Sequence, residues 1–134
     1  MDESIFLFYS MHCILACHNP ENKSIENILS KIERNTSFRL DSIEKKSWDT
    51  LCVLKPYKSL ADFSKVNFSV TEKPVFENLV MSDEHCTLVF IKNKQVVSYA
   101  VISRSVANFS GLNRVYFRPD QRFRITSEEQ VVED

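Results

Sequence analysis

The scarcity of glycine is the feature that most constrains this chain. Gly111 is the only glycine among 134 residues. Loops that cradle a phosphate, and the sharp elbow that presents a catalytic serine, need several glycines because the backbone must approach the ligand closely. The sequence therefore excludes nucleotide chemistry by these routes. Its tight turns must be made by Asn, Asp, Ser, Lys and four prolines.

Length and composition are those of one globular domain. The chain is 43% hydrophobic and 26% charged, with a formal net charge of −1, which is enough apolar content for a single core. The near-neutral balance argues against a nucleic-acid partner held by bulk charge. No run of about 18 apolar residues is present to predict a membrane-spanning helix.

An apolar run dominates the N-terminal region over residues 5–17, IFLFYSMHCILAC. Its length suits the apolar part of a secretory signal peptide and is too short for a membrane-spanning helix. The run ends in Ile14-Leu15-Ala16-Cys17, which resembles the lipobox of bacterial lipoproteins. The resemblance implies that residues 1–16 are a removed signal peptide. It also implies that Cys17 is lipidated as a membrane anchor and that residues 17–23 form a tether.

The charge of the first residues departs from that pattern. A signal peptide begins with a positive region, whereas this chain has Asp2 and Glu3 and no Lys or Arg before Lys23. The alternative is that residues 5–16 are a buried strand or helix of a cytosolic domain. Both interpretations stay open at the level of the sequence.

One amphipathic helix is the best-defined element of the pattern. Its apolar residues recur at the spacing of one helical face and are Ile25, Ile28, Leu29 and Ile32. Ser24 precedes them as a candidate N-cap. The spacing predicts a helix over about 25–35.

Runs typical of β-strands make up most of the remaining chain. They cover 37–43, 48–54, 86–92, 95–103, 114–118 and 122–125. Asn93-Lys94 suits a two-residue hairpin turn, while 58–82 includes a candidate short helix at SLADFSKVNF and a break at Pro74. The prediction is an α+β fold in which one N-terminal amphipathic helix packs on an antiparallel sheet of four to five strands. A single domain then covers 24–128, and 129–134 is an acidic, frayed tail.

The segment Trp48–Tyr57, WDTLCVLKPY, carries a further resemblance. It is similar to a W-D-x-φ-C-φ-x-x-P-Y segment (φ, hydrophobic) of small, mostly uncharacterised lipoproteins of Gram-negative bacteria, in which a hairpin like 88–97 follows. The resemblance implies an envelope lipoprotein that faces the periplasm and has no established catalytic residues. Some lipoproteins of this sort are described as candidate immunity proteins against secreted toxins.

The lipoprotein interpretation determines which cysteines the processed chain would keep. With Cys13 removed and Cys17 lipidated, Cys52 and Cys86 remain, and an even pair in an oxidising compartment predicts one disulfide. The bridge would close a loop of about 34 residues and stabilise the fold by roughly 3–4 kcal/mol. The alternative is two reduced thiols in the core.

No residue set predicts a metal site, a cofactor or an enzyme. His12, Cys13, Cys17 and His18 lack the paired spacing of zinc ligands. His85 and Cys86 are sequence neighbours that point to opposite faces of a strand, so they form no local dyad.

Arginines and aromatic residues alternate near the C-terminus. Candidate contacts for a protein partner in this stretch are Arg114, Tyr116, Arg118, Arg122 and Arg124. The alternatives are an edge strand with outward arginines and a contact with nucleic acid or anionic headgroups. The sequence thus favours a non-enzymatic envelope lipoprotein that binds a toxin or an envelope component, with no nucleic acid. The alternative is a cytosolic α+β binding domain.

Overall fold

A computed structural model of the protein describes residues 21–134, and this part of the chain is α+β with two helices and two antiparallel sheets. The helices are α1 (Ser24–Lys31) and α2 (Glu72–Leu79). The strands are β1 (Ser37–Arg39), β2 (Thr50–Leu54), β3 (His85–Lys92), β4 (Gln95–Ser103), β5 (Tyr116–Phe117), β6 (Arg122–Ile125) and β7 (Val131–Glu133). Short 3-10 turns cover Leu40–Ser42 and Leu60–Asp62.

The large sheet has the order β4-β3-β2-β5, and its central strands are buried on both faces. The edge strand β4 alternates buried and half-buried residues, as expected where one side is partly open. The predicted hairpin is confirmed: Asn93 and Lys94 adopt the left-handed conformation, with φ of 51° and 69°. One extra residue, Val97, forms a bulge in β4.

A second sheet, with the order β1-β6-β7, is a correction to the single predicted sheet. Phe38 opposes Phe123 in this small sheet, and both rings face inward. β7 lies within the predicted acidic tail, where Val131 is buried, so residues 131–133 are part of the fold. The frayed-tail prediction is therefore wrong, because pairing with β6 satisfies the backbone of this stretch.

Two apolar clusters lie on opposite faces of the large sheet. The main core is closed by α1 and the small sheet and includes Trp48, Phe90 and Phe123. The second core is closed by α2 and the segment before it and includes Phe63 and Phe76. The molecule therefore has three layers, with the large sheet in the middle.

α1 occupies the predicted region but ends at Lys31 rather than at about 35. The prediction of Ser24 as the N-cap is wrong, because Ser24 is the first residue of the helix. Its backbone N–H and its hydroxyl both donate to the side-chain oxygen of Asn22, at 3.1 and 2.6 Å. Asn22 also donates its backbone N–H to the Tyr99 carbonyl at 2.7 Å and its side-chain amide to the buried Glu44 carboxylate at 2.6 Å. Residues 21–23 thus belong to the folded domain, which corrects the predicted tether; residues 17–20 lie outside the described residues.

α2 lies where the sequence predicted a break at Pro74. Ser69 and Glu72 form a capping box: the Ser69 hydroxyl accepts the Glu72 N–H at 3.2 Å, and the Glu72 carboxylate accepts the Ser69 N–H at 2.8 Å. Pro74 lies in the first turn, where a missing N–H costs little. The S-x-x-E spacing is the local signal that would have predicted this helix.

Within residues 21–134, neither helix has the length and apolar character needed to cross a membrane.

Candidate functional site

The predicted Cys52–Cys86 disulfide is wrong, since both cysteines are free, buried thiols. Cys52 lies in the second core and Cys86 in the main core, so the two side chains project from opposite faces of the large sheet. Cys52 is paired with Val89, three residues along β3 from Cys86. A disulfide needs facing Cβ atoms and Cα atoms within about 7 Å, which this register does not provide.

Burial changes the chemistry of these two thiols. Loss of hydration raises the pKa of Cys52 from 9.0 to about 12 and that of Cys86 to about 11. A thiol held protonated near neutral pH is a poor nucleophile. The two cysteines therefore act as apolar packing groups in the folded protein.

The Trp48–Tyr57 segment contains β2, and its first two residues contact the β3–β4 hairpin. Trp48 packs edge-on against Phe90, with ring centroids 5.0 Å apart, and donates its indole N–H to the Glu44 carbonyl at 3.3 Å. Asp49 accepts the Asn93 backbone N–H at 2.9 Å and so braces the β3–β4 turn. Trp48 and Asp49 thus serve the fold, whereas Tyr57 at the end of the segment is largely exposed.

Three of the four arginines predicted to contact a partner form ion pairs with nearby carboxylates. The pairs are Arg114–Glu133 at 2.6 Å, Arg118–Asp120 at 3.5 Å and Arg124–Asp134 at 3.5 Å. Arg122 is exposed, and its guanidinium lies 3.5 Å from the Ser37 hydroxyl. Two of the pairs tie the end of the chain to its neighbours, so these arginines have a local structural role; their role in partner binding stays a prediction.

Tyr116 lies on β5 in the large sheet, apart from the arginines of β6. It packs against the second core, its hydroxyl accepts the Lys65 backbone N–H at 3.1 Å, and the Lys65 ammonium lies 5.0 Å from its ring centroid. Loss of hydration is the main cause that raises the pKa of this phenol. Cys17, the predicted lipidation site, lies outside the described residues.

Residues 21–134 contain no group of three or more His, Cys, Asp or Glu side chains placed to hold a metal ion. His85 makes a 3.2 Å hydrogen bond between Nε2 and the Leu79 carbonyl. Cys86, its neighbour, points into the main core. The two side chains do not form a nucleophile–base pair.

A groove of about 630 Å³ lies between α2 and the segment 58–68. Its apolar floor consists of Phe63, Val66, Phe68 and Val80, which are all buried. Three charged side chains stand on its rim: Lys58, Lys73 and Glu77. Met81 also lines the groove, with 66% of its surface exposed. An apolar floor with a few charged groups around it is typical of a binding site.

Tyr57, next to the groove, has an unusual backbone. Its φ is +63°, and it follows Pro56 at the position of a turn that ordinarily takes Gly or Asn. Its N–H donates to the Val80 carbonyl at 2.6 Å, while 63% of the residue is exposed. A bulky side chain in this region costs roughly 1–2 kcal/mol, and such strain clusters at functional sites.

The sequence prediction missed this groove: it assigned 59–68 to a candidate short helix, of which only the 3-10 turn Leu60–Asp62 forms, and it gave these residues no functional role. The available signal was Pro56-Tyr57 in a chain with one glycine, because Tyr stands where this type of turn favours Gly. The groove itself depends on contacts between α2 and residues distant in sequence, which no local pattern indicates.

Comparison of the chain with protein-family models, with curated proteins and with solved structures finds no match.

Proposed function

We propose that this protein acts by binding another protein, without catalysis, and that the groove beside α2 is the contact surface. One observation carries the proposal. Two of the most exposed large hydrophobic residues in the described part of the chain lie at the groove: Met81 lines it, and Tyr57 is bonded through its N–H to the carbonyl of the lining residue Val80. Exposed apolar side chains beside a concave surface with an apolar floor are typical of protein interaction sites.

The charged groups of the groove favour binding over chemistry. Lys58, Lys73 and Glu77 are all exposed, and the three include no histidine or thiol that would act as a base or nucleophile near neutral pH. Met81 lines the groove and Tyr57 adjoins it at Val80, and an exposed tyrosine near a flexible methionine suits an interface. The proposed partner is a protein, either a toxin or an envelope component, and not a nucleic acid.

We place this binding at the bacterial envelope, with the chain anchored through lipidated Cys17 and facing the periplasm. The support is the lipobox-like sequence at 14–17 together with the anchoring of Asn22 to β4, which leaves residues 18–20 as the link. At about 3.5 Å per residue, that link holds the domain within roughly 15 Å of the anchor. The alternative is a cytosolic binding domain that keeps residues 5–16.

Photo-crosslinking in cells tests the binding surface. A photoreactive residue replaces Met81, and a matched variant carries it at Lys45, an exposed position away from the groove. We expect a covalent adduct with one second protein from position 81, lost when Tyr57→Ser is added, and none from position 45. Equal adducts from both positions, or none from position 81, would contradict the proposal.

Intact mass of the product from a bacterial host tests the anchor. We expect loss of residues 1–16 and addition of acyl chains on Cys17. An unprocessed mass of the 134-residue chain would favour the cytosolic alternative.

A further inference from the structure

A short triplet to which the proposed function gives no role occurs four times in the chain. It is Asn-x-Ser with x other than proline, and its asparagines are Asn22, Asn35, Asn67 and Asn108. In secreted proteins this triplet accepts an N-linked sugar. We propose that Asn35 is the N-glycosylation site of this protein. The inference rests on the envelope location proposed above, because the modification belongs to secreted proteins.

Exposure separates Asn35-Thr36-Ser37 from the other triplets. All three of its residues are exposed, in the turn between α1 and β1. Asn108 and Phe109 are buried, and so is Phe68, the middle residue of the triplet that begins at Asn67. A transferase has to bind the asparagine and the hydroxyl residue together, so a triplet with a buried middle residue must first open locally.

Hydrogen bonding of the acceptor amide separates two of the triplets further. The Asn22 amide donates to the buried Glu44 carboxylate at 2.6 Å, and the Asn108 amide donates to the Gln130 side chain at 3.3 Å. The Asn35 side chain makes no hydrogen bond within residues 21–134. Its backbone N–H donates to a carbonyl of β6 at 2.7 Å, in the left-handed conformation that Asn tolerates, with φ of 65°. The amide is therefore free to react while the backbone around it is fixed.

Asn67 is the closest competitor, because its side chain is exposed at the groove. The hydroxyl of its triplet belongs to Ser69, which accepts the Glu72 N–H at 3.2 Å in the capping box of α2. A transferase could bind this triplet only by opening the start of α2. A sugar on Asn67 would also fill the groove, whereas Asn35 lies between α1 and β1, on the main-core side of the large sheet.

A sugar on Asn35 has a use in this fold. β1 is an edge strand of the small sheet and begins at Ser37, two residues after Asn35. An exposed edge strand can pair with a strand of another molecule, and a bulky, solvated group beside it hinders that pairing. The sugar would shield this edge and leave the groove open for the partner.

The transfer exchanges one bond for another, with a sugar attached through a diphosphate to a membrane lipid as the donor. The amide nitrogen of Asn35 bonds to the anomeric carbon of the sugar. The bond from that carbon to the diphosphate oxygen breaks, and its electron pair leaves with the lipid diphosphate. The nitrogen gives up one proton to a base of the transferase, which recognises the Ser37 hydroxyl. Glu33 is exposed two residues before Asn35, which suits a transferase that also reads an acidic residue there.

Mass spectrometry of the full chain, recovered from the membranes of the cells that naturally produce it, tests the modification. We expect one sugar chain, on the peptide that contains Asn35, in a protein that carries acyl chains on Cys17. An acylated chain without a sugar, or with its sugar on Asn67, would overturn this inference and leave the envelope location standing. A chain with neither addition would overturn both.

Transfer in vitro to the folded full chain tests why Asn35 is chosen. The probe is a purified oligosaccharyltransferase that requires only Asn-x-Ser/Thr, with a polyprenyl-diphosphate sugar as donor. We expect transfer to Asn35 about tenfold faster than to Asn67, which corresponds to about 1.4 kcal/mol for opening the start of α2. In short peptides that contain the two triplets, where nothing has to open, the rates should converge. Equal rates in the folded chain would contradict the inference.

Substitutions at Ser37 show whether the triplet itself is read. Ser37→Ala should abolish transfer to Asn35, and Ser37→Thr should preserve it because threonine keeps the hydroxyl. Asn67→Gln is the matched control and should leave the rate at Asn35 unchanged. Transfer to Asn35 that survives Ser37→Ala would count against the assignment.

Discussion

The two faces of the large sheet differ in how they are closed. The main core lies beneath a second sheet and α1, and its aromatic rings are locked from several sides. The second core lies beneath one eight-residue helix and a stretch with little regular structure, and it leaves Tyr57 and Met81 exposed. A sheet with one tightly closed face can keep the other face open for binding, because stability is not uniform across a structure.

Phe123 is the aromatic centre of the closed face. Its ring contacts Phe117, Phe38 and Phe109 at centroid distances of 5.2, 6.0 and 6.1 Å. On the open face the ring of Phe76 pairs with two aromatic rings, those of Phe68 and Tyr99. The central ring of the open face therefore has fewer aromatic neighbours than that of the closed face.

The largest expected effect comes from truncation of Phe123. We expect Phe123→Ala to lower the free energy of unfolding by about 4 kcal/mol, because the cavity is enclosed and cannot collapse. Phe76→Ala, equally buried, is the control and should cost about 3 kcal/mol, the low end for this truncation, if the groove side relaxes into the cavity. Urea unfolding measures both. A larger loss for Phe76→Ala would reverse the comparison of the two faces.

The next largest loss of stability should come from raising the pH, and the two buried cysteines report on the two faces separately. The folded protein keeps Cys52 protonated up to a pKa of about 12 and Cys86 up to about 11, whereas the unfolded chain loses these protons near 9.0. The stabilising contribution is therefore complete below pH 9 and is lost as the pH rises from 9 towards 11–12.

At pH 10 we expect the two thiols together to lower the free energy of unfolding by about 3 kcal/mol relative to pH 8. Cys52→Ala should remove the part of this pH-dependent loss that comes from the second core, and Cys86→Ala the part that comes from the main core. Urea unfolding at both pH values measures each part. An undiminished pH effect in the double variant would show that other groups cause it.

A substitution at Tyr57 should stabilise the protein, in contrast to the substitutions above. Because Gly adopts a positive φ without strain, Tyr57→Gly should raise the free energy of unfolding by about 1 kcal/mol. It should also reduce partner crosslinking from position 81. Lys94→Gly, with φ of 69° in the hairpin turn, is the control that stabilises without loss of crosslinking. Full crosslinking by Tyr57→Gly would show that the exposed ring is not a contact.

The smallest effect belongs to the ion pair at the edge of the closed face. Arg114 is half exposed and pairs with Glu133, so Arg114→Ala should cost less than about 1 kcal/mol. The pair is screened by water, and the cost should shrink further in about 1 M salt, where the Debye length is only about 3 Å. Thermal unfolding with and without salt measures this. A cost above that of Phe76→Ala would mean that the ion pairs, and not the aromatic core, hold β7 in place.

Local signals predicted the local parts of the fold. The alternation of β4 and the Asn93-Lys94 turn identified the hairpin, because strand period and turn conformation are properties of neighbouring residues. The apolar stripe located α1 for the same reason. α2 was missed although its capping box is also local, since Pro74 was given more weight than Ser69 and Glu72.

The sequence by itself determined the turns, the hairpin, the apolar stripe of α1 and the absence of glycine-rich phosphate loops. Only the tertiary structure decided which distant residues meet. It paired Phe38 with Phe123 across a second sheet, and it placed Cys52 and Cys86 on opposite faces. It also balanced the arginines with nearby carboxylates and formed the groove beside α2. The physical reason is that periodicity and turn chemistry act over a few residues, whereas register, face and enclosure follow from packing the whole chain at once.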